Sequence, residues 1–157
     1  MPHTDDDTVL ALAIRDLIEA NKSALLIDDV LYGNHGMIPQ ASAAVVTAMG
    51  KRRQLAGVSA PGGRTQNELM VGIDLHWSKV GNEDTERQAA DSRGTALESL
   101  IHEDTTVGGI IIHGFITDVD RGDSVLPNST GSNSMFRTVR MMYRGTTKTY
   151  LSPPAAP

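Results

Sequence analysis

Apolar residues recur at helical spacing near the start of the chain and predict a first helix. Asp5 to Asp7 precede this pattern, and acidic residues suit a helix N-terminus because its backbone N–H groups lack partners. The polar residues Asn21 to Ser23 end the helix. Its apolar face consists of Leu10, Ala13, Ile14, Leu17 and Ile18.

The segment after this helix has a less regular pattern. LLIDDVLY at 25–32 fits either a strand or a short second helix, because a short apolar run suits both. The glycines within 33–36 mark a turn. The run ASAAVVTAM at 41–49 predicts a strand, and residues 51–67, rich in Gly, Pro and basic residues, predict a loop.

The clearest strand is predicted over residues 68–79, ELMVGIDLHWSK, where apolar and polar residues alternate. Strict alternation fits a strand that has one buried face and one wetter face. The buried face would hold Leu69, Val71, Ile73, Leu75 and Trp77. The other face would hold Glu68, Met70, Gly72, Asp74, His76 and Ser78.

A second helix is predicted to begin at Asn82, because acidic residues fill its first turn and apolar residues follow at helical spacing. Gly94 falls on the apolar stripe, although glycine costs a helix interior about 1 kcal/mol relative to alanine. That cost indicates a close approach between this helix and the sheet. The stripe consists of Ala90, Gly94, Leu97 and Ile101, supported by Leu100.

The last third of the chain predicts further strands. The glycines at 108–109 lead into residues 110–119, which are apolar on both faces and are therefore predicted to lie centrally in the sheet. A polar loop over 120–134 follows. Residues 135–151 predict a strand, a turn at Gly145 and a final short strand.

This order of elements predicts an α+β fold, with a mostly antiparallel β-sheet and two main helices packed on one face. Residues 1–151 would form one small domain, since no repeat or second domain is visible, and residues 152–157 would form a disordered C-terminal tail. A chain of 157 residues is long enough to bury about 68–70% of its unfolded surface.

Composition excludes several classes of chemistry. The chain has no cysteine, which excludes disulfides, thiolate nucleophiles and cysteine-based zinc sites. Its 19 acidic and 14 basic residues give a net charge of -5, so no general attraction to nucleic acid or to an anionic membrane is expected. The N-terminus is acidic where a secretion signal is basic, and no apolar run approaches the roughly 18 residues of a membrane span. We expect a cytoplasm-like compartment, unless an assembly carries the protein out.

Candidate catalytic groups are sparse. Five histidines raise a metal hypothesis, and its strongest form is a small metal-dependent hydrolase that uses His76, His113 and Asp118. No HExxH or similar ligand spacing accompanies them, and histidines in sheets more often make ordinary hydrogen bonds. The acidic segment DVDRGDSVLPNS at 118–129 lacks the glycine and glutamate of a calcium loop and is interpreted as a solvated turn. We predict no catalytic residue, no cofactor and no bound metal.

Basic residues form two groups along the chain. One flanks the predicted loop at 51–67 and consists of Lys51, Arg52, Arg53 and Arg64. The other lies along the last strands and consists of Arg137, Arg140, Arg144 and Lys148. Few aromatic residues are interleaved with them, so binding of single-stranded nucleic acid is poorly supported. Each residue alone fits a solvated strand face, and the group as a whole fits a charged contact between subunits.

Four stretches of the chain together resemble, in their layout, the tail terminator proteins of long-tailed bacteriophages. They are YGNHGMIPQASAAVVTAMG, ELMVGIDLHW, ERQAADSRGTALESLIHEDTTVGGIIIHGFITDVD and RMMYRGTTKTYL, within residues 7–151. The resemblance implies a small α+β subunit that closes into a homohexameric ring on the end of the finished tail tube. Such a ring stops tube polymerisation and presents the surface that joins the DNA-filled head.

The resemblance also implies partners and a location. The subunit would contact copies of itself, the major tail tube protein and a head–tail connector or stopper protein. Genomic DNA would only pass through the lumen, and no membrane would be involved. The protein would lie at the head–tail interface of the virion, after assembly in the host cytoplasm. The alternatives are another connector (a stopper or adaptor), the hydrolase described above, and a monomeric binding module.

A closed ring needs a heterologous interface, in which one patch meets a different patch. The last strand pair and the sheet edge near Val45 are candidates, because open sheet edges invite pairing. The predicted loops at 51–67 and 123–134 are expected to contact neighbouring subunits or the tube. Two long polar loops are uncommon in a compact domain unless they are functional or disordered.

Overall fold

The computed structural model of the protein describes residues 7–33, 41–57, 64–78, 83–127 and 131–150. These residues form helices and a single sheet. The helices are α1 (Asp7–Ala20), α2 (Lys22–Leu25) and α3 (Glu83–His102). The strands are β1 (Asp29–Tyr32), β2 (Ser42–Gly57), β3 (Arg64–Ser78), β4 (His113–Pro127) and β5 (Asn133–Tyr150).

The five strands lie side by side in the order β1-β2-β3-β5-β4. β1 runs parallel to β2, and the other neighbouring pairs are antiparallel. Helices α1 and α3 pack on the same face of this sheet and share one hydrophobic core with it. The predicted α+β class, with a mostly antiparallel sheet and its helices on one face, is confirmed.

Strand β3 has the alternating burial that its sequence predicts. Its helix-facing row, Leu69 to Trp77 at every second position, is buried, and four of those five side chains are fully buried. The opposite row is partly exposed, with the exception of His76, which is also buried. β3 pairs with β2 on one side and β5 on the other, so it lies at the centre of the sheet.

Helix α1 uses a slightly different face from the predicted one. Leu10, Ile14 and Ile18 are fully buried as expected, Ala11 is fully buried as well, and Leu17 is only half-buried against the core. The Asp7 carboxylate accepts a hydrogen bond from the backbone N–H of Gly50 at 2.8 Å. The donor, Gly50, lies at a bulge of β2, so the first residue of α1 also fixes the adjacent strand.

Helix α3 approaches the sheet closely at Gly94, as its sequence predicts. A Cβ at this position would lie 3.1 Å from Cγ1 of Val139 on β5. Ala90, Leu97 and Ile101 are buried on the same stripe, which confirms the predicted core face. A larger residue at position 94 would push the helix away from β5, because native cores contain few gaps that could absorb extra atoms.

The ambiguous segment at 25–32 contains part of each predicted element. α2 ends at Leu25, Leu26 adopts a left-handed conformation with φ of 52°, and β1 then begins at Asp29. β1 pairs in parallel with residues 43–46 of β2, which places Leu31 beside Val45. The predicted free edge near Val45 is therefore wrong, since a strand already occupies it.

The loop predicted over 51–67 is wrong in its main part. β2 continues to Gly57 and β3 begins at Arg64, so most of this segment forms two paired strands. Lys51 and Arg52 are exposed. Polar residues can extend a hairpin because cross-strand backbone hydrogen bonds hold it, whereas its side chains need no buried environment. The Gly, Pro and basic residues of this segment therefore predicted a loop where most of the backbone forms paired strands.

The central strand predicted over 110–119 is also wrong. Residues 110–112 form a turn after α3, and β4 begins at His113 as an edge strand. Within this turn the Ile111 side chain is buried, so its apolar character reflects packing of the turn and not a central strand.

The polar loop predicted over 120–134 is wrong as well: β4 continues to Pro127, and β5 begins at Asn133.

Gly145 does not form the predicted turn, because β5 is continuous from Asn133 to Tyr150. Gly145 pairs with Leu69 on one side and Gly114 on the other. A Cβ at Gly145 would lie 2.8 Å from Cδ1 of Ile111. The glycine therefore makes room for the turn residue that packs over the strand.

The last strand pair proposed as an edge is also internal, because β5 lies between β3 and β4.

Some predictions fall outside the described residues. They concern Asp5 and Asp6 before α1, most of the turn at 33–36, the centre of the loop at 51–67, the start of the second helix at Asn82, and the tail at 152–157.

Replacing Gly114 by alanine is expected to destabilise the fold by about 1–3 kcal/mol. The new Cβ would overlap the Tyr143 hydroxyl and lie 2.7 Å from Cδ1 of Ile111. Both neighbours are buried, and burial raises the pKa of Tyr143 to about 12, with a smaller contribution from Asp104. The measurement is the free energy of unfolding from urea titration.

The matched control is Gly122→Ala on the same strand, where no atom lies within 4 Å of an added Cβ. This control is expected to stay within about 0.5 kcal/mol of the parent protein. Equal stabilities for the two variants would contradict the packing assigned to Gly114.

Candidate functional site

The sheet face opposite the helices is the main candidate surface, and we call it the open face. Among the described residues, its side chains come from alternate positions of β2, β3, β4 and β5. A shallow groove of about 480 Å³ crosses it. The groove is lined by Thr47, Met49, Gly72, Asp74, Asp118, Asp120, Arg140, Met141, Met142 and Arg144.

Two arginines of β5 are tied to acids of β3 across this face. Arg140 donates from Nε to Oδ1 of Asp74 at 3.0 Å, and Arg144 donates from Nη1 to Oε1 of Glu68 at 2.6 Å. Arg144 also donates from Nε to the hydroxyl of Thr117 on β4 at 3.2 Å. The Arg140 side chain is 65% exposed, so its ion pair with Asp74 orients the side chain but adds little stability.

Apolar side chains are exposed beside these charges. Met49 and Phe115 are each 51% exposed, and the register places Phe115 opposite Arg144. Gly72 lies beneath Met49, whose Cγ would be 3.4 Å from a Cβ at that position. Methionine, arginine and aromatic residues are enriched at the centres of protein interfaces. The middle of the open face therefore has the composition of a contact surface.

One end of the open face carries a small buried cluster around His76. His76 Nδ1 lies 2.9 Å from the Thr138 hydroxyl, and its ring meets Phe136 edge to face at 6.2 Å between centroids. Burial lowers the pKa of His76; nearby Asp74 opposes this shift and Arg140 adds to it. A neutral, buried ring with a hydroxyl partner is a structural histidine.

The three residues of the hydrolase hypothesis do not converge. On β5 their direct partners are Thr138 for His76, Met142 for Asp118 and Thr146 for His113. Four strand residues separate each step, which is about 13 Å. Within the described ranges, no group of three histidines or carboxylates is placed to hold a metal ion.

The residues predicted as an interface do not form one group; they are Arg52, Arg53, Arg64, Arg137, Arg140, Arg144 and Lys148. Arg52, Arg53, Arg64 and Lys148 lie on β2, β3 and β5 towards the end of the sheet where β2 finishes, but they are spread along it: Arg52 pairs with Glu68, whereas Arg64 pairs with Gly57. Arg140 and Arg144 lie further along the open face. The register thus places residues that are far apart in sequence at one end of the sheet, which their spacing along the chain could not show.

Arg137 belongs to the helix-packed side of the molecule and not to this group. Its side chain is 14% exposed and pairs with Asp91 of α3 at 3.2 Å and with Asp123 of β4 at 3.6 Å. Each carboxylate also has a second arginine nearby: Arg87 of α3 contacts Asp123, and Arg121 of β4 contacts Asp91. Arg137 therefore holds α3 against the sheet, on the opposite face from Arg140 and Arg144.

The acidic segment interpreted as a solvated turn is part of edge strand β4. Asp118 and Asp120 lie exposed at the rim of the open face, whereas Asp123 pairs with arginines on the helix side. Asp120 is opposite Arg140, whose Nε bonds to Asp74. Alternating faces along a strand explain this separation. The same alternation in the sequence could have indicated a strand here.

A bulge in β4 is stabilised by α3. The register shifts between Ile116 and Asp118, and the Ile116 N–H donates to Nε2 of His102 at 2.9 Å. Bulges are one way in which natural sheets limit pairing along an edge. At the beginning of the β4 edge, the Ile116 N–H is therefore already bonded to α3. From Asp118 to Pro127, no described strand lies along the outer side of β4.

Comparison with models of known protein families gives no match, and comparison with curated protein sequences gives none either. The resemblance to tail terminators therefore stays a prediction. Within the part of the chain that the structure describes, no helix has the length and apolar character needed to cross a bilayer.

Replacing His76 by glutamine is expected to flatten the pH dependence of stability. A folded-state pKa below the ordinary value of 6.5 means that the unfolded chain binds the proton first. The parent protein therefore has the full contribution above about pH 7 and loses it as the pH falls through 6.5 towards the lower folded pKa. Urea titration at several pH values measures this.

His113→Gln is the matched control, because His113 is exposed and lacks the burial on which the effect depends. If the stability of His76→Gln depended on pH as steeply as that of the parent protein, the assignment to His76 would be refuted.

Arg137→Met is expected to destabilise the protein by about 1–3 kcal/mol, because it removes the mostly buried cation that joins Asp91 of α3 to Asp123 of β4. Arg140→Met removes an exposed pair and is expected to cost less than about 1 kcal/mol. Thermal unfolding of both variants measures the difference. Equal losses would show that the two arginines have equivalent structural roles.

Proposed function

We propose that the protein is a structural subunit of a ring that caps the completed tail tube of a long-tailed bacteriophage. The ring ends tube polymerisation and provides the surface for head–tail joining. The protein acts through its shape and surface and not as an enzyme. Its location is the virion, at the head–tail interface, after assembly in the host cytoplasm.

The observation that carries this proposal is the composition of the open face. Met49 and Phe115 are half exposed beside Arg140 and Arg144, and these residue types are enriched in interfaces. The helices already cover the opposite face, where the main core lies. A subunit with one face filled by helices and the other bearing interface-type residues supports a role in assembly.

The layout of the chain gives the second support. The α+β fold agrees with the fold that the resemblance to tail terminators implies. In this proposal the partners are copies of the same chain, the major tail tube protein and a head–tail connector or stopper protein. Genomic DNA passes through the lumen, and no cofactor takes part.

Electron microscopy of growing tail tubes tests the proposal. The purified protein is added to the major tail tube protein of the same phage, and tube protein alone is the control. We expect a ring on one end of each tube and an end to elongation. Unchanged elongation with bare tube ends would contradict the proposal. Binding to the portal end of the head, with no binding to tubes, would indicate a stopper or adaptor.

Phe115→Ser is expected to weaken the contacts of the open face and to reduce ring or tube binding at least tenfold without unfolding the chain. Leu26→Ser is the control, because Leu26 is 58% exposed and lies before β1 on the helix side, where its carbonyl oxygen accepts from Trp77. Sedimentation of protein with tubes measures binding. An equal effect of the two substitutions would exclude a specific role for the open face.

A further inference from the structure

The described sheet is open on two sides, along β4 on one side and along β1 and the end of β2 on the other. β4 is one edge, and its part from Asp118 to Pro127 follows the bulge at which His102 holds the backbone. On the other side, β1 covers only residues 43–46 of β2. Beyond Gly50, whose N–H donates to Asp7, β2 pairs with β3 on its inner side, and no described strand lies along its outer side.

These two edges carry opposite charge. The exposed side chains of Lys51 and Arg52 lie on the β2 edge, followed in sequence by Arg53. Asp118 and Asp120 lie exposed on the β4 edge. The remaining charges of β4, on Arg121 and Asp123, already pair with residues of the helix side.

Strand directions allow the two edges to meet without inverting a subunit. β2 is antiparallel to β3, β3 to β5, and β5 to β4, so β4 runs opposite to β2. A second copy placed beside the first in the same orientation therefore presents its β2 antiparallel to β4. In that arrangement Arg52 and Asp120 lie on the same face, because each occupies an open-face register position.

We propose that the acidic edge of β4 in one copy pairs with the basic edge of β2 in the next copy, which extends the sheet from head to tail. The occupant of each edge is a second copy of this chain. This contact is heterologous, and such contacts close into rings when the rotation between subunits permits. The inference rests on the proposed function and names the interface that the ring would use.

Exchange of the charges tests the pairing. Asp118→Lys with Asp120→Lys makes the β4 edge basic, and Lys51→Glu with Arg52→Glu makes the β2 edge acidic. Each double variant alone is expected to lose self-association at least tenfold by light scattering. A mixture of the two double variants is expected to recover it, because every edge then meets an edge of opposite charge.

A control variant separates edge pairing from a general effect of charge. Asp16→Lys with Glu103→Lys makes the same change in total charge as the β4 double variant, at exposed positions of the helix side. This control is expected to associate like the parent protein. Circular dichroism and thermal unfolding establish that all variants are folded. Loss of association in the control, or no recovery in the mixture, would overturn the edge pairing.

Engineered cysteines then identify the contact, since the chain has no cysteine of its own. A mixture of Asp120→Cys and Arg52→Cys proteins is expected to form disulfide-linked dimers, and neither variant alone should do so. A chain carrying both substitutions is expected to give a ladder of linked species. Dimers from Asp120→Cys alone would mean that two β4 edges meet each other, which contradicts the proposal.

The outcomes distinguish this inference from the proposed function. Rings on tube ends without links between positions 52 and 120 would overturn the edge pairing and leave the tail role intact. Links without tube capping would support the edge pairing and contradict the tail role. A chain that stays monomeric at all concentrations, with and without tubes, would overturn both.

Discussion

The structure depends on the one-sided packing of strand β3. Its helix-facing row from Leu69 to Trp77 is buried under the helices while its backbone pairs with β2 and β5 on either side. Burial of this row supplies the main driving force for joining helices to sheet, because the favourable free energy scales with the apolar area removed from water. A shift of one residue in register would turn the same row towards the open face.

Close packing on this core explains the glycines within regular elements. Gly94 lets α3 approach Val139, and the neighbouring glycines 114 and 145 let the turn residue Ile111 pack against β4 and β5. At each of these positions a side chain would occupy space that a neighbour already fills. Glycine is therefore required here for its size and not for turn formation, which is why Gly145 continues a strand.

The charged residues divide between the two faces according to strand alternation. On the helix side, Arg137 joins Asp91 to Asp123 and holds α3 to the sheet. On the open face, Arg140 and Arg144 pair with acids of β3 and lie beside exposed apolar side chains. The first group contributes to the fold, and the second leaves a surface suited to a partner. Assembly through this surface and through the strand edges is the function that we propose.

The sequence alone determined the elements whose patterns are periodic: α1, α3, strand β3 and the α+β class. These patterns are local, because each records which face of one helix or strand is buried. Tertiary structure decided the rest. The polar hairpins depend on backbone hydrogen bonds to neighbouring strands, and β4 became an edge although its first residues are apolar. The position of Arg52 and Lys148 towards the same end of the sheet, and the separation of His76 from His113, depend on cross-strand register. Register is a relation between distant segments, so no single segment contains it.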